Sequence, residues 1–260
     1  MIANNLVLDV PPGIGLLGMA FEQAGYCVVN GPDLLWGRDM KGWHPVRGVF
    51  EGVIGGPPCQ FASRMRHLVE ATGKKPRFGN LIPEWERIVS EAQPDWFLME
   101  NVPEAPCPQI EGYKLYSFLL NPRWIGEVQH RDRRFSFGSR DGLPLDFDEI
   151  VIFETQEWRH AVQGDRRPIP VKLLKNGKPK RMTVLAADTL TPGQRRGSKK
   201  YYFDLEDNCE LQGLPRGFTK YMPFLKSAKF EVIGNGVPLP VGRAIAKGIR
   251  KAMILQKDRK

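Results

Sequence analysis

An α/β fold on a mostly parallel sheet, joined by a small second module of mainly β and irregular structure, is what this 260-residue sequence predicts. Three observations carry it. The chain opens on a strand, a glycine turn and a helix; short apolar strands then alternate with helical patterns; and near residue 141 that rhythm breaks. Leu6-Val7-Leu8-Asp9-Val10 reads as a buried parallel strand because its apolar residues run on without alternating. Pro11-Pro12-Gly13-Ile14-Gly15 follows as a turn, and Leu17, Ala20, Phe21 and Ala24 set a helical period that ends at Gly25. Further strands are expected at Cys27-Val28-Val29, over Val49–Ile54 and at Trp96-Phe97-Leu98-Met99. Between the last two, Pro83–Ala92 carries a helical stripe of Trp85, Ile88, Val89 and Ala92. From about Asp141 to Asp204 the chain turns to short β-prone pieces rich in Pro, Gly and basic residues. At the far end Val241, Ile245, Ile249 and Met253 recur every fourth residue, which predicts a helix packed on the main sheet.

Composition narrows the class of protein. Apolar residues make up 42% and charged ones 26%, without repeats, low-complexity tracts or an apolar run long enough to cross a bilayer, so a core-forming, cytoplasmic protein is expected. The first residues lack the basic and apolar regions of a secretory signal. Cys27, Cys59, Cys107 and Cys209 are dispersed, which argues against a zinc site or a disulfide framework, and no metal is expected. The net charge of +9 is concentrated: Thr155 to Lys200 holds 12 Lys/Arg against 3 Asp/Glu, and the remaining residues balance at 26 of each sign. A basic excess confined to one segment, Arg195 and Arg196 included, suits a module that grips phosphates, although a solvated charged face has the same composition.

The residues with the most chemical content are Gly55-Gly56-Pro57-Pro58-Cys59-Gln60, directly after the apolar Val53-Ile54. Glycines permit close backbone approach or positive φ, and prolines fix φ and remove donors, so a thiol at Cys59 is mounted on a stiff turn at a strand end. Glu100-Asn101 follows another apolar strand, which brings a carboxylate to the same sheet edge. In Gln129-His130-Arg131-Asp132-Arg133 the alternation of a strand would put Arg131 and Arg133 on one face. Asp9 with Gly13 and Gly15 forms a strand-end glycine turn of the kind that receives nucleotide-like ligands, and many such turns serve packing alone. Asp33 and Asp39, in the turns after the second strand, read on their own as turn and cap residues.

Taken together these motifs resemble the cytosine-C5 methyltransferases. The resemblance runs through six motifs in order over nearly the whole chain: the Asp9–Gly25 turn and helix, Gly-Pro-Pro-Cys-Gln, Glu-Asn-Val at Glu100, Gln-x-Arg-x-Arg at Gln129, Leu-Gln-Gly-Leu-Pro at Leu211, and Gly-Asn-Gly-Val at Gly234. The chain departs from the family's pattern at Pro11, where the family has phenylalanine, at Leu16, where it has a second glycine, and at Gly236, where it has serine.

What the resemblance implies is an S-adenosylmethionine-dependent, Rossmann-like methyltransferase fold and methyl transfer to carbon 5 of cytosine in double-stranded DNA, with the base extruded. Cys59 is the nucleophile, Glu100 assists at ring nitrogen 3, and Arg131 and Arg133 hold the pyrimidine carbonyl and steady the charged groups. S-adenosylmethionine falls to Asp9, Pro11, Gly13, Gly15, Asp33, Asp39, Pro58, Asn235 and Val237; the DNA falls to Gln60, Ser63, Asn101, Gln129, Arg195 and Arg196. Residues 1–140, completed by 235–260, form the expected catalytic and cofactor-binding domain, 141–205 the target-recognition domain and 206–234 a connecting segment. A monomer acting on a short target of about two to four base pairs is expected, because so small an insert brings few side chains to base edges. Two other readings stay open: the same chemistry on transfer RNA, and a DNA-binding homologue that has lost catalysis.

Overall fold

The computed structural model describes residues 5–58, 79–127, 129–145, 147 and 204–257. Cys59, Gln60, Ser63, Arg195 and Arg196 lie outside these described residues, as does nearly all of the expected recognition segment. Six strands form one sheet: β1 (Leu6–Asp9), β2 (Cys27–Asn30), β3 (Gly52–Gly55), β4 (Trp96–Asn101), β5 (Lys114–Leu120) and β6 (Arg133–Ser139). The helices are α1 (Leu16–Gln23), α2 (Ile82–Ala92), α3 (Leu205–Leu211), α4 (Lys226–Asn235) and α5 (Leu239–Lys257).

The sheet order is β2-β1-β3-β4-β6-β5. β2, β1, β3 and β4 run parallel, whereas β6 lies antiparallel to both β4 and β5. After β1 the chain moves to one side to form β2 and returns to the other side as β3. This reversal opens a crevice beyond the carboxyl ends of β1 and β3, where α/β sheets receive ligands.

Both faces of the sheet are covered, which is why the central strands read as unbroken apolar runs. On one face, Leu17 and Phe21 of α1 and Val241, Ile245, Ile249 and Met253 of α5 pack on Val7, Trp96, Leu98 and Phe137. On the other, Trp85, Ile88, Val89 and Ala92 of α2 cover Leu8, Val10, Val53, Phe97 and Met99. Neighbouring residues Val7 and Leu8 thus serve opposite layers, as the strand's period of two requires. Trp85 adds an anchor, its indole Nε1 donating to the Val10 carbonyl at 2.9 Å.

Three expectations need correction. The strand expected over Val49–Ile54 begins only at Gly52, since Gly48 takes a left-handed turn (φ 71°) and Val49 is exposed. β4 continues past Met99 through Asn101, because Glu100 and Asn101 pair with Phe135 and Arg134 of β6. β6 starts at Arg133, so Gln129–Asp132 is not strand; its neighbours β4 and β5 reach no further than Asn101 and Leu120, which pair with Arg134 and Arg133 and leave the earlier residues without a ladder. β5, α3 and α4 have no counterpart among the elements that the sequence pattern predicts. α3 nonetheless carries a legible start signal, a capping box in which the Asp204 side chain takes the Asp207 N–H and Asp207 the Asp204 N–H.

Because α5 contributes a fully buried Ile245 to the layer shared with α1, Ile245→Ala is expected to cost about 2–5 kcal/mol. Urea unfolding followed by circular dichroism checks this, the midpoint falling with the slope unchanged.

Candidate active site

The crevice holds a cavity of about 370 Å³, within the size range of small-molecule sites. Its walls come from the turn after β1, the loop after β2, the exit of β3, the end of β4, the lead-in to β6, and α4 with the residues that follow it. Of the residues expected at cofactor, Asp9, Pro11, Gly13, Asp33, Asp39, Pro58, Asn235 and Val237 line this cavity. Gly15 does not; it is the left-handed residue (φ 79°) from which α1 departs, and its carbonyl takes the Met19 N–H.

The turn is held from both sides. Asp33 accepts the Gly13 N–H at 2.8 Å and the Leu35 N–H at 2.7 Å, while the Trp36 indole donates to the Gly13 carbonyl at 2.7 Å. Asp33 is thus a cap as well as part of the wall, and each of its oxygens keeps a second lone pair. Asp39 accepts the Lys41 N–H at 3.0 Å. Asp9 lies deeper, 1% exposed, and its carboxylate accepts the Gly18 N–H at 3.1 Å. Burial, reinforced by the charges of Asp33 and Glu22, pushes its pKa to about 8 against the lowering effect of that bond.

These residues fit S-adenosylmethionine. No heavy atom lies within 4 Å of where a Cβ on Gly13 would stand, so ligand can approach that backbone. Pro11, Leu35 and Leu81 give an apolar surface for a base, and Asp33 and Asp39 give acceptors for hydroxyl and amine donors. Pro11 stands here without an aromatic ring, so the surface is aliphatic.

At the opposite wall Glu100 is buried and its Oε1 takes Arg133 Nε at 2.9 Å. Burial raises its pKa, and the positive charges of Arg133 and Arg131 work against that rise. Arg131 and Arg133 therefore converge on one carboxyl group although they do not share a strand face: one precedes β6 and the other begins it. Gly56 makes room for the acid, since a Cβ there would stand 2.9 Å from Glu100 Oε2, and Gly55 lets β3 close on β1, since its Cβ would fall 2.0 Å from the Val10 carbonyl oxygen. Of the two uses that glycine offers, these positions need close approach. Asn101 donates from Nδ2 to the Pro57 carbonyl at 3.2 Å and accepts the Val102 N–H at 2.9 Å. It lines the cavity and fixes the proline turn that leads into Cys59.

Gln129 requires correction as a DNA contact. It is fully buried, and its amide donates to the Leu211 carbonyl at 2.6 Å and to Gln212 Oε1 at 3.3 Å. Gln212 in turn donates to the carbonyls of Ile233 at 2.6 Å and Gly236 at 3.1 Å. The two glutamines clamp the approach to β6 against the wall after α4. Sequence reasoning missed the Ala228–Val232 stretch of α4 as wall, because α4 does not sort polar from apolar residues by face. Among the described cysteines, Cys27 is exposed, Cys107 is half-buried and Cys209 is buried, its thiol pushed up to about 11 by burial and by Glu206, Asp204 and Glu210; none of the three lines the cavity.

A mostly parallel sheet covered on both faces, with an acidic and apolar cleft at its switch point, defines the Rossmann-like α/β methyltransferase fold. The solved structure of Entamoeba histolytica methyltransferase EhMeth shares it, with a TM-score of 0.60 at 16% identity over 98% of both chains. The family model for C-5 cytosine-specific DNA methylase matches residues 45–107, which span the Pro-Cys turn and the Glu100 strand. Type II methyltransferase M.FnuDI of Fusobacterium nucleatum is 30% identical over 95% of this chain and 94% of its own length. Type II methyltransferase M.HgiDI of Herpetosiphon aurantiacus is 24% identical over 94% and 93%. The chain belongs to the C-5 cytosine-specific DNA methylases.

Asp9 gives the site a pH signature. The native carboxyl holds its proton to about pH 8, whereas an unfolded one releases it near 3.8, so the native state carries an extra proton between these values and stability falls as pH rises through them. The slope approaches about 1.4 kcal/mol per pH unit. Asp9→Asn, which keeps an acceptor for Gly18, is expected to lose that slope. Urea unfolding at pH 5 and pH 8 should find the variant gaining on the wild type by a few kcal/mol at the higher pH, and parallel slopes would mean Asp9 is ionised.

Proposed function

We propose that this enzyme methylates carbon 5 of cytosine in double-stranded DNA through a covalent adduct on Cys59, with the target base turned out of the duplex. The observation that carries the proposal is Glu100: a buried carboxyl whose proton affinity is raised, paired with Arg133, beside Arg131, on a cleft wall that includes the turn leading into Cys59. Inside a stacked duplex carbon 6 of cytosine is out of reach of any side chain, so the base must leave the stack. The Cys59 thiolate adds to carbon 6 while Glu100 delivers its proton to nitrogen 3, which draws the ring's electrons and leaves carbon 5 nucleophilic. Arg131 and Arg133 hold the pyrimidine carbonyl and keep Glu100 in place. S-adenosylmethionine, held by the Asp9–Gly13 turn, Asp33, Asp39, Pro58, Asn235 and Val237, supplies an electrophilic methyl group on a sulfonium. Once carbon 5 carries the methyl group, solvent water takes its proton, the electrons of that C–H bond re-form the double bond to carbon 6 and expel the Cys59 thiolate, and the nitrogen 3 proton returns to Glu100.

Residues 1–140 with 235–260 serve as the catalytic domain, a division supported by α5 packing on α1 and the sheet. Residues 141–205 serve as the recognition module, 206–234 connect the two, and the basic excess within the module supplies phosphate contacts together with Arg195 and Arg196. So short a module reads a site of about two to four base pairs. Among the described residues no helix is long and apolar enough to cross a membrane, and a monomer in the cytoplasm fits this reading. The relatives' names as Type II methyltransferases support a role in marking DNA against restriction.

Tritium transfer from labelled S-adenosylmethionine tests the assignment. Activity is expected on duplex DNA and not on transfer RNA, and the reverse preference overturns the substrate. Cys59→Ser should abolish both turnover and the stable adduct with 5-fluorocytosine DNA. Glu100→Gln, which keeps the shape and loses the proton, should lower turnover by about 10²–10⁴-fold with cofactor binding nearly unchanged.

A further inference from the structure

Gly236 is a glycine that its own backbone does not require. It ends α4 at φ −70° and ψ 157°, a conformation open to every residue. What excludes a side chain is Leu16, across the cavity wall at the start of α1: a Cβ on Gly236 would stand 2.4 Å from Leu16 Cδ1, 3.0 Å from Cγ and 3.4 Å from Cβ. Leu16 has little freedom to yield. It is 2% exposed and packed on Ala20, Cys209, Leu211, Leu214, Ile233 and Leu239, so the open volume beside it is the cavity, which both Leu16 and Gly236 line. A side chain at 236 would therefore push the leucine toward the ligand. Gln212 holds the Gly236 carbonyl at 3.1 Å, which stops the backbone from retreating instead. These are also two of the three positions where the chain departs from the motifs it resembles, with leucine at 16 where the family has glycine and glycine at 236 where it has serine.

We propose that Leu16 and Gly236 are a reciprocally sized pair that sets the width of the cofactor cleft, the bulk gained on one wall being matched by the bulk removed from the other. Both are positioning residues, and the inference rests on reading this cleft as the S-adenosylmethionine site. Their departures from the family pattern are then one change made in two places, and the cleft keeps its capacity for cofactor.

The test is a double-mutant cycle on the full chain, with calorimetric titration of S-adenosylhomocysteine and thermal midpoints for every variant. Gly236→Ala should weaken binding by about tenfold or more with a smaller effect on folding. Leu16→Ala removes the colliding atoms, and a methyl group at 236 then meets residue 16 only at 3.4 Å, an ordinary contact. The double variant Leu16→Ala/Gly236→Ala should therefore bind within about threefold of Leu16→Ala alone. Wild-type affinity in Gly236→Ala, or a double variant that loses the product of the two single losses, overturns the pairing. If Gly236→Ala does not fold, the double variant must fold and bind, and its failure overturns the pairing equally. Should the wild type bind no S-adenosylhomocysteine, the cofactor reading falls by itself. The pairing is then judged on thermal midpoints, where independent effects refute it and coupled effects uphold it.

Discussion

The cleft exists because three strand ends come closer than side chains would allow. Gly55 lets β3 lie against the Val10 carbonyl, and Gly56 leaves the space into which Glu100 reaches from β4. A methyl group at Gly55 would fall 2.0 Å from a backbone oxygen, which cannot swing aside as a side chain would. The spacing of the glycine turn, the proline turn and the acid is thus set by the backbone of the sheet. Asn101 extends the constraint outward by tying the end of β4 to the Pro57 carbonyl. The chain that continues to Cys59 leaves from a point fixed on one side by β3 and on the other by β4.

The parts of this arrangement that were legible in the sequence are those governed by local rules. The apolar runs of β1 and β4 and the four-residue stripe of α5 have one stable solution each, and Asp9 and Glu100 sit at or next to the ends of β1 and β4, with Gly13 and Pro58 in the turns that follow β1 and β3. What stayed hidden depends on partners remote in the chain. β6 begins at Arg133 because β4 and β5 stop there, a fact absent from the alternation of Gln129–Arg133 itself. Gln129 looks in the sequence like one more polar residue beside Arg131 and Arg133, and only the Leu211 carbonyl and Gln212 reveal it as a buried clamp. α4 forms a wall with no amphipathic signature, since its register is set by Gln212 gripping the carbonyls that follow Val232.

Two buried carboxyl groups face the same cavity and are tuned in different ways. Around Asp9 the neighbouring charges, Asp33 and Glu22, are both negative and add to burial, so the group stays neutral at ordinary pH, and the Gly18 N–H alone works the other way. Around Glu100 burial raises the pKa and the positive charges of Arg133 and Arg131 oppose that rise. A group in that balance can give up a proton and take it back, which general acid–base chemistry requires.

The difference between the two acids traces to the direction of one strand. Were β6 parallel to β4, the edge beside Glu100 would be occupied by the end of β6, Phe137 to Ser139, and the segment before it would enter from the far side of the sheet. Running antiparallel, β6 places its first residues there instead: Arg134 pairs with Asn101, Arg133 comes next to the cleft, and Arg131 arrives on the irregular stretch just before. That stretch is itself free of ladder bonds and is steered by Gln129 through the turn at Leu211–Gln212, which also holds the Gly236 carbonyl. The reversal of a single strand in an otherwise parallel sheet therefore delivers cations to one strand-end acid and withholds them from the other. It also couples the arginine-bearing wall to the wall that carries Asn235 and Val237, so the Glu100 end of the cleft and its opposite end share one buried chain of amides.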